Sequence, residues 1–191
     1  MKGILISGKA EAGKTTTANI IKTFLEERGK KVACIPYGQY VKDTAKLIWN
    51  WDGKKDKKGR ELLQWWGTDI VRAQDPNFWM DSVVRLAKVI DKYVDYLIVD
   101  DCRFINEIEA WRAIKYVALD SATDALSSKQ RFSDIITIRV ERPGHENALT
   151  PDQRQHPSET ELDDYIFDIT IKATDKAGLY DEIVWNVMPK I

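Results

Sequence analysis

The residues best suited to chemistry stand near the N-terminus, where residues 8–15 read GKAEAGKT and match the pattern G-x-x-x-x-G-K-S/T. Glycines in such a loop let backbone N–H groups curl around an anion, and the helix that follows adds further donors. Lys14 supplies a mobile positive charge for nucleotide phosphates, and the Thr15 hydroxyl supplies a ligand for Mg²⁺. Glu11 would repel phosphates, so we expect its side chain to point to solvent. The expected nucleotide contacts are Gly8, Ala10, Ala12, Gly13, Lys14, Thr15 and Thr16.

A second set of polar residues follows the apolar run 96–99, where the chain reads Asp100-Asp101-Cys102-Arg103. A carboxylate at the end of a buried strand can bind Mg²⁺ directly or through water. Adjacent strand residues point to opposite faces, so we expect only one aspartate to reach a metal and the other to cap a helix. An arrangement in which both only cap helices stays open. Planar guanidinium groups clamp phosphates, and the candidates are Arg72, Arg103, Arg142 and Arg154.

The elements that must position these residues alternate between apolar runs and helical patterns. Apolar runs predict strands over 4–6, 32–35, 96–99, 135–140 and 166–171. Helical spacing follows the glycine-rich loop and recurs over 41–51, 61–72, 76–92, 104–113 and 178–185. This alternation predicts an α/β fold with a mainly parallel five-stranded sheet flanked by helices. Because ligands of such sheets bind beyond the carboxyl ends of the strands, both sets of residues can meet in one crevice.

Three charged segments lack clear periodicity. Residues 52–60, DGKKDKKGR, are either a solvated loop or a basic flap that meets a phosphorylated substrate. Residues 117–134 are polar and are expected to form a surface excursion. In the segment 141–165, Ser158 and Glu161 have the spacing of a capping box, so we expect a structural role for the neighbouring His156 rather than that of a base.

Bulk properties narrow the class of protein. A length of 191 residues with 43% hydrophobic residues predicts one domain with a substantial core. The net charge of −1 gives no general attraction to nucleic acid or to anionic membranes. Cys34 and Cys102 stand far apart without metal-binding spacing, which favours a reducing compartment. No apolar run approaches the roughly 18 residues needed to span a bilayer, so we expect a cytoplasmic protein.

Four further segments carry a specific resemblance: LLQWWGTDIVRAQDPNFW, YLIVDDCRFINEIEAW, ITIRVERPG and HPSETELDDYIFD. Together with the phosphate loop they resemble, over most of the chain, the deoxynucleoside monophosphate kinases of tailed bacteriophages, and more distantly the animal phosphomevalonate kinases. The resemblance implies that Arg72 and Arg103 bind the substrate phosphate. It also implies that Asp101, before Asp100, is the metal carboxylate and that Arg142, rather than Arg139, acts from a lid.

Two features depart from that family. Thr15 stands where many relatives carry an aspartate, so the metal ligands can differ. The segment 117–134 replaces what is usually a short turn. The implied organisation is a single P-loop NTPase domain, residues 1–191. Its parts are a core (1–36, 94–140 and 166–191), an acceptor-binding helical region (37–93) and a lid (141–165).

The implied reaction is ATP-dependent phosphoryl transfer to a (deoxy)nucleoside monophosphate, with ATP and Mg²⁺ as cofactors. A kinase for another small phosphorylated acceptor and a non-kinase nucleotide switch are the alternatives, although the N-K-x-D motif of GTP switches is absent from the sequence. Neither nucleic acid nor membrane is an expected partner, and a homodimer is left open. The expected catalytic residues are Lys14, Asp101, Arg103 and Arg142. The expected substrate contacts are Trp66, Asp69, Arg72, Arg103 and Glu159.

Overall fold

The computed structural model describes residues 1–120 and 134–191, and within them five strands form one sheet. The strands are β1 (Lys2–Ser7), β2 (Val32–Cys34), β3 (Tyr96–Cys102), β4 (Ile135–Glu141) and β5 (Ile169–Lys172). Their order across the sheet is β2-β3-β1-β4-β5, and every neighbouring pair is parallel. The predicted α/β fold with a parallel five-stranded sheet is therefore confirmed.

Helices cover both faces of this sheet. They are α1 (Lys14–Glu27), α2 (Tyr37–Trp49), α3 (Lys57–Gln64), α4 (Phe78–Ile90), α5 (Ile105–Asp120), α6 (Pro151–Gln155), α7 (Pro157–Thr160) and α8 (Lys176–Glu182). Helix α3 continues as a π-helix over Trp65–Arg72, and α8 continues over Ile183–Val187 and ends in a 3₁₀ turn, Met188–Lys190. Across 1–120 and 134–191, no helix combines the length and the apolar character that crossing a membrane requires.

The core consists of two apolar layers, one on each side of the sheet. Successive side chains of a strand point to opposite faces, so β1 contributes to both layers. Ile4 and Ile6 are buried in the layer that contains α1 and α8. Leu5 is buried in the opposite layer, together with Trp79 of α4 and Trp111 of α5. This double burial explains why the strands read as continuous apolar runs.

Helix α2 begins at Tyr37 rather than at the predicted Val41. The reason is a contact distant in sequence, because the Asp101 carboxylate accepts the backbone N–H groups of Tyr37 (2.8 Å) and Gly38 (2.7 Å). A Cβ at Gly38 would lie 2.8 Å from Asp101 Oδ2, so the absence of a side chain there permits the close approach. The carboxylate thus serves as a helix cap that local sequence does not reveal.

Other boundaries also differ from the prediction. Helix α5 extends to Asp120, so the excursion predicted over 117–134 begins inside a helix, and residues 121–133 lie outside the described residues. The last strand begins at Ile169 rather than at 166. On α4, Leu86 is 38% exposed, because Val84 and Ala87 take the buried face of that helix.

Candidate active site

The phosphate loop connects β1 to α1 at the carboxyl edge of the sheet. A Cβ at Gly8 would lie 2.4 Å from the carbonyl oxygen of Val140, so this turn requires glycine. The Lys14 ammonium folds back over the loop and donates to the carbonyl oxygens of Gly8 (2.7 Å) and Lys9 (2.8 Å). Burial, followed by the nearby charge of Arg103, lowers the pKa of Lys14 to about 7. A phosphate group in the loop would supply the negative charge that this ammonium lacks.

We expected the Glu11 side chain to point to solvent, but it contacts other segments of the chain. Glu11 has a left-handed backbone conformation (φ 63°), and its carboxylate accepts a hydrogen bond from the Arg60 guanidinium (2.9 Å). The other oxygen lies 3.3 Å from His145 Nε2 and accepts the Ala148 N–H at 3.3 Å. The phosphate loop is therefore joined through Glu11 to the basic segment 52–60 and to the segment 141–165.

A cavity of about 840 Å³ opens beside the loop and extends towards α2 and α4. It brings together residues from both sets that the sequence singled out, and one carboxylate that lies further along the chain. These predicted residues are Ala10, Gly13, Lys14, Thr15, Thr16, Arg72, Asp100, Asp101, Arg103 and Glu159. Ala12 faces a second, smaller pocket instead, and Gly8 lies against the backbone of Val140.

The two aspartates after β3 differ in their contacts. Asp101, our first candidate for the metal, already binds the first two N–H groups of α2, one with each oxygen. Asp100 is buried at the cavity wall, and its carboxylate makes no hydrogen bond or ion pair with the part of the chain that the structure describes. On these contacts Asp100 is the carboxylate with free oxygens, and the choice of metal ligand between the two stays a prediction.

Arg72 is held on all sides. Its guanidinium donates to the carbonyl oxygen of Pro76 (2.8 Å) and to Asn106 Oδ1 (2.9 Å), and it lies 3.6 Å from the centre of the Phe104 ring. It also forms an ion pair with Glu107 at 3.6 Å. Three of these partners belong to the segment D-x-R-F-x-N-E, so that motif orients an arginine contributed by a different helix.

Glu107 is fully buried at the base of this arrangement. One oxygen accepts the backbone N–H groups of Arg103 (2.8 Å) and Phe104 (3.2 Å), and the other faces Arg72. Burial raises the pKa of Glu107 to about 7, against the opposing effect of these hydrogen bonds and of Arg72. A single carboxylate therefore ties together the segments that carry both predicted phosphate-binding arginines.

Arg103 and Glu159 form a second arrangement. The Arg103 guanidinium donates to the Ser158 carbonyl oxygen at 2.8 Å and pairs with one oxygen of the Glu159 carboxylate. The other Glu159 oxygen accepts the N–H of Ala10 in the phosphate loop at 2.9 Å. Glu159 lines the cavity, but both of its oxygens already have these partners, so its expected contact with the substrate stays a prediction.

The helices that follow Thr150 have N-caps other than the predicted one. The capping box is formed by Thr150 and Gln153 at the start of α6, not by Ser158 and Glu161. His156 caps α7 by accepting the Ser158 N–H at Nδ1 (3.2 Å), as fits a structural role. Glu161 instead accepts the N–H of Ile105 at 2.9 Å, and so caps α5.

Several predicted contacts lie outside the large cavity. Asp69 contacts His156 Nε2 (3.4 Å), and Trp66 donates to Thr44 Oγ1 (2.9 Å). Arg142 donates to the Thr174 carbonyl oxygen (3.2 Å) and lines the smaller pocket of about 160 Å³, beside Thr16. Of the remaining arginines, Arg139 is buried against Asp163 (2.9 Å), and Arg154 bonds to the Asn147 carbonyl oxygen (3.0 Å).

No family model and no curated protein sequence matches the chain. Similar solved structures include TT1252 from Thermus thermophilus, which is 13% identical with a TM-score of 0.50 over 100% of this chain and 97% of that chain. The APS kinase CysC of Mycobacterium tuberculosis is also 13% identical. A cysteine-to-alanine mutant has a TM-score of 0.43 over 96% and 94% of the two chains, and a complex with AMPPNP and APS has 0.44 over 96% and 95%. At such identities the likeness concerns the fold alone.

The chain has the P-loop NTPase fold. This conclusion rests on the phosphate loop between β1 and α1 and on the parallel sheet with β1 at its centre.

Sequence reasoning missed the residues that line the far end of the cavity. Among them are Val41 of α2, Leu63 and Gln64 of α3, and Trp79 of α4, which donates to the Gly67 carbonyl oxygen at 2.9 Å. Lys42 and Lys55 also line the cavity, although neither was named as a site residue. The one available signal was the charged segment 52–60, for which a basic flap was an alternative.

Proposed function

We propose that the protein is an ATP-dependent kinase that transfers a phosphoryl group to a (deoxy)nucleoside monophosphate. One observation carries the proposal: the phosphate loop and the arginines Arg72 and Arg103 line the same cavity. Two phosphate-binding groups that face each other are what transfer between two phosphorylated substrates requires. A nucleotide switch has no need of the second group.

The residues of the donor side fit ATP and Mg²⁺. The loop offers backbone N–H groups and Lys14, whose ammonium is turned onto loop carbonyls that it can exchange for phosphate oxygens. Thr15 and Asp100 would hold Mg²⁺ together with phosphate oxygens, since Mg²⁺ is often bound by one or two protein ligands plus substrate. When bound, this ion neutralises charge on the β- and γ-phosphates. The pocket beside Arg142 and Thr16 is the candidate site for the adenine base of ATP.

The far end of the cavity supports a nucleoside as the acceptor. Val41, Leu63 and Trp79 give it an apolar lining, and the Gln64 amide adds a group that can both donate and accept hydrogen bonds. A planar base needs this combination of flat apolar walls and a few polar contacts.

Positioning and charge compensation are the chemical tasks of these residues. Lys14 and Arg103 would compensate the charge of the transferred group. Arg103, kept in place through Glu107 and Arg72, would also contact the acceptor phosphate. A general base is unnecessary because a phosphate oxygen of the acceptor is already ionised at neutral pH. His156 is accordingly a helix cap in this scheme and not a base.

A coupled assay of ADP formation tests the proposal. The purified protein, with ATP and Mg²⁺, is screened against the ribo- and deoxyribonucleoside monophosphates and against phosphomevalonate. We expect ADP formation that depends on one or more nucleoside monophosphates. Turnover with phosphomevalonate alone would favour the alternative acceptor class. ATP hydrolysis that no acceptor stimulates would contradict the assignment as a kinase.

A further inference from the structure

The charged segment 52–60 has two kinds of cation. Lys54 and Lys57 lie outside the cavity and pair with acids, Lys54 with Asp52 (3.4 Å) and Lys57 with Glu61 (4.0 Å). Lys55 and Arg60 line the cavity instead. The segment is therefore a solvated loop on one side and a basic wall on the other.

The shape of this segment is fixed by hydrogen bonds. The indole N–H of Trp51 donates to the Lys54 carbonyl oxygen at 3.0 Å. The Asp56 carboxylate accepts the Gly59 N–H at 2.8 Å and caps α3. Lys55 lies between these two anchors, and the Arg60 guanidinium holds its carbonyl oxygen at 3.0 Å. The orientation of Lys55 towards the cavity is thus built into the loop.

Lys55 lies near three other positive charges, of which Arg103 is paired with Glu159. Partial burial, followed by the charges of Lys42, Arg60 and Arg103, lowers the pKa of Lys55. Arg60 is partly neutralised by Glu11, at 2.9 Å. Lys42 and Lys55 have no side-chain hydrogen bond or ion pair within residues 1–120 and 134–191. Like charges held together in this way repel one another until an anion enters.

We propose that Lys42 and Lys55, together with Arg103, form the subsite for the acceptor phosphate, which takes a dianionic phosphate monoester. This inference rests on the proposed function and deepens it. The three cations line the same cavity as the phosphate loop, so the monoester would meet the donor there. The charged run is then a binding element that supplies one of the three cations.

Arg72 has a different part in this arrangement. Its donors are directed to Pro76 and Asn106, its face covers Phe104 and its charge meets Glu107. Lys42 and Lys55, in contrast, have cations available for a ligand. Arg72 therefore acts as a positioning residue that keeps the Arg103 segment in place through Glu107.

Two single substitutions and a matched control test the subsite. Lys42→Gln and Lys55→Gln each remove a charge from the cavity lining, whereas Lys58→Gln removes one from a position of the same segment outside the cavity. In steady-state assays we expect each cavity variant to raise the apparent Michaelis constant for the monophosphate about tenfold. The Michaelis constant for ATP should change less than about twofold. The Lys58 variant should match the wild type in both constants.

A second measurement is independent of turnover. The wild-type protein, with AMPPNP filling the phosphate loop, is acylated with acetic anhydride, and each lysine is followed by peptide mass spectrometry. Inorganic phosphate is the probe, and we expect it to slow acylation of Lys42 and Lys55 but not of Lys58. This protection would support the anion subsite even if no nucleoside monophosphate were accepted. Failure of the proposed function can therefore be distinguished from failure of the inferred subsite.

Two outcomes would overturn the inference. Protection that is equal at Lys42, Lys55 and Lys58 would mean that phosphate has no preferred site on this wall. If the cavity variants raise the Michaelis constant for ATP and leave that for the monophosphate unchanged, the lysines belong to the ATP-binding side of the cavity. In either case the kinase assignment would stand as long as the acceptor screen is positive.

Discussion

In the proposed kinase one continuous stretch, residues 8–15, would supply the phosphate contacts of the donor side, whereas the acceptor side would collect its charges from separate stretches. The loop works largely through backbone N–H groups and one lysine. The acceptor side works through side chains: Lys42 of α2, Lys55 of the following loop and Arg103 after β3. One side is a local structure, and the other exists only once the chain has folded.

This difference indicates how each side should respond to change. A local backbone structure keeps its shape when a side chain is lost, so a substitution there removes chemistry and little else. The acceptor side depends on linked contacts, such as those of Glu107 with Arg72 and Arg103, so a substitution there changes geometry as well. The following predictions set donor variants against acceptor variants.

The largest effect is expected at Lys14. Lys14→Ala removes the charge that compensates the transferred group, so turnover should fall by about a thousandfold while the circular dichroism spectrum is unchanged. Lys22→Ala, on the exposed surface of the same helix, is the control and should keep full activity. Turnover of Lys14→Ala within a few-fold of the wild type would show that the loop is not catalytic.

On the acceptor side, Arg103 and Arg72 should differ in kind. Arg103→Lys should raise the constant for the monophosphate by tens-fold with little loss of stability, because a point charge cannot replace a planar fork. Arg72→Lys should also lower the melting temperature, since the contacts with Asn106 and Phe104 are lost. The pair is measured by kinetics and thermal unfolding. Equal melting temperatures for the two variants would contradict a positioning role for Arg72.

The adjacent aspartates separate metal binding from structure. Asp100→Asn should raise the Mg²⁺ concentration for half-maximal activity about tenfold and leave stability nearly unchanged. Asp101→Asn should cost about 1–3 kcal/mol of unfolding free energy, since two hydrogen bonds to N–H groups of α2 lose their charge. Mg²⁺ titrations and urea unfolding distinguish the two. A steep Mg²⁺ requirement in Asp101→Asn alone would restore the original order of candidates.

A smaller effect is expected at Arg142, which lines the pocket beside the loop and not the main cavity. Arg142→Ala should raise the Michaelis constant for ATP a few-fold and leave the Michaelis constant for the monophosphate unchanged. A matched variant, Arg154→Ala, removes an exposed arginine of the same segment and should change neither. A collapse of turnover in Arg142→Ala would return this residue to the catalytic group that the resemblance implies.

The smallest effect concerns pH. Burial raises the pKa of Glu107 from 4.5 to about 7, so the folded protein holds this proton more tightly than the unfolded chain does. Its contribution to stability is therefore fully present below about pH 4.5 and is lost as the pH rises through 7. Between pH 5 and pH 8, the melting temperature of the wild type should fall by a few degrees relative to Glu107→Gln. Glu109→Gln, exposed on the same helix, should follow the wild type throughout.

Local patterns predicted the sheet and the phosphate loop because burial and loop chemistry depend on neighbouring residues. The apolar runs of β1 and β3 and the glycines of the loop carry this information directly. Contacts between distant residues could not be predicted in this way. Asp101 caps a helix more than sixty positions earlier in the chain, and Glu159 reaches the Ala10 N–H from a separate segment.

The lysines of the acceptor subsite show the same limit. A charged segment such as 52–60 has the composition of a solvated loop, and its composition does not reveal that Lys55, between the anchors at Trp51 and Asp56, lines the cavity. The motif D-x-R-F-x-N-E can be read from the sequence. That its residues orient Arg72 depends on the packing of α5 beside the π-helix, which the sequence does not show. Spacing therefore identifies the residues of this motif but not their partners.

The Asp101 cap has a mechanical consequence for the acceptor region. It clamps the first turn of α2 to the end of β3, next to Asp100. Helix α2 is about 20 Å long, so a tilt of about 10° at the clamp displaces its far end by roughly 3 Å and its middle by about half as much. Lys42 lies nearer the clamp than Trp49 does. A tilt about this anchor would therefore displace Lys42 less than Trp49, whose ring packs against Trp65 and Trp66 of the π-helix, so any such movement would pass to the acceptor region through the tryptophans and not through the lysine.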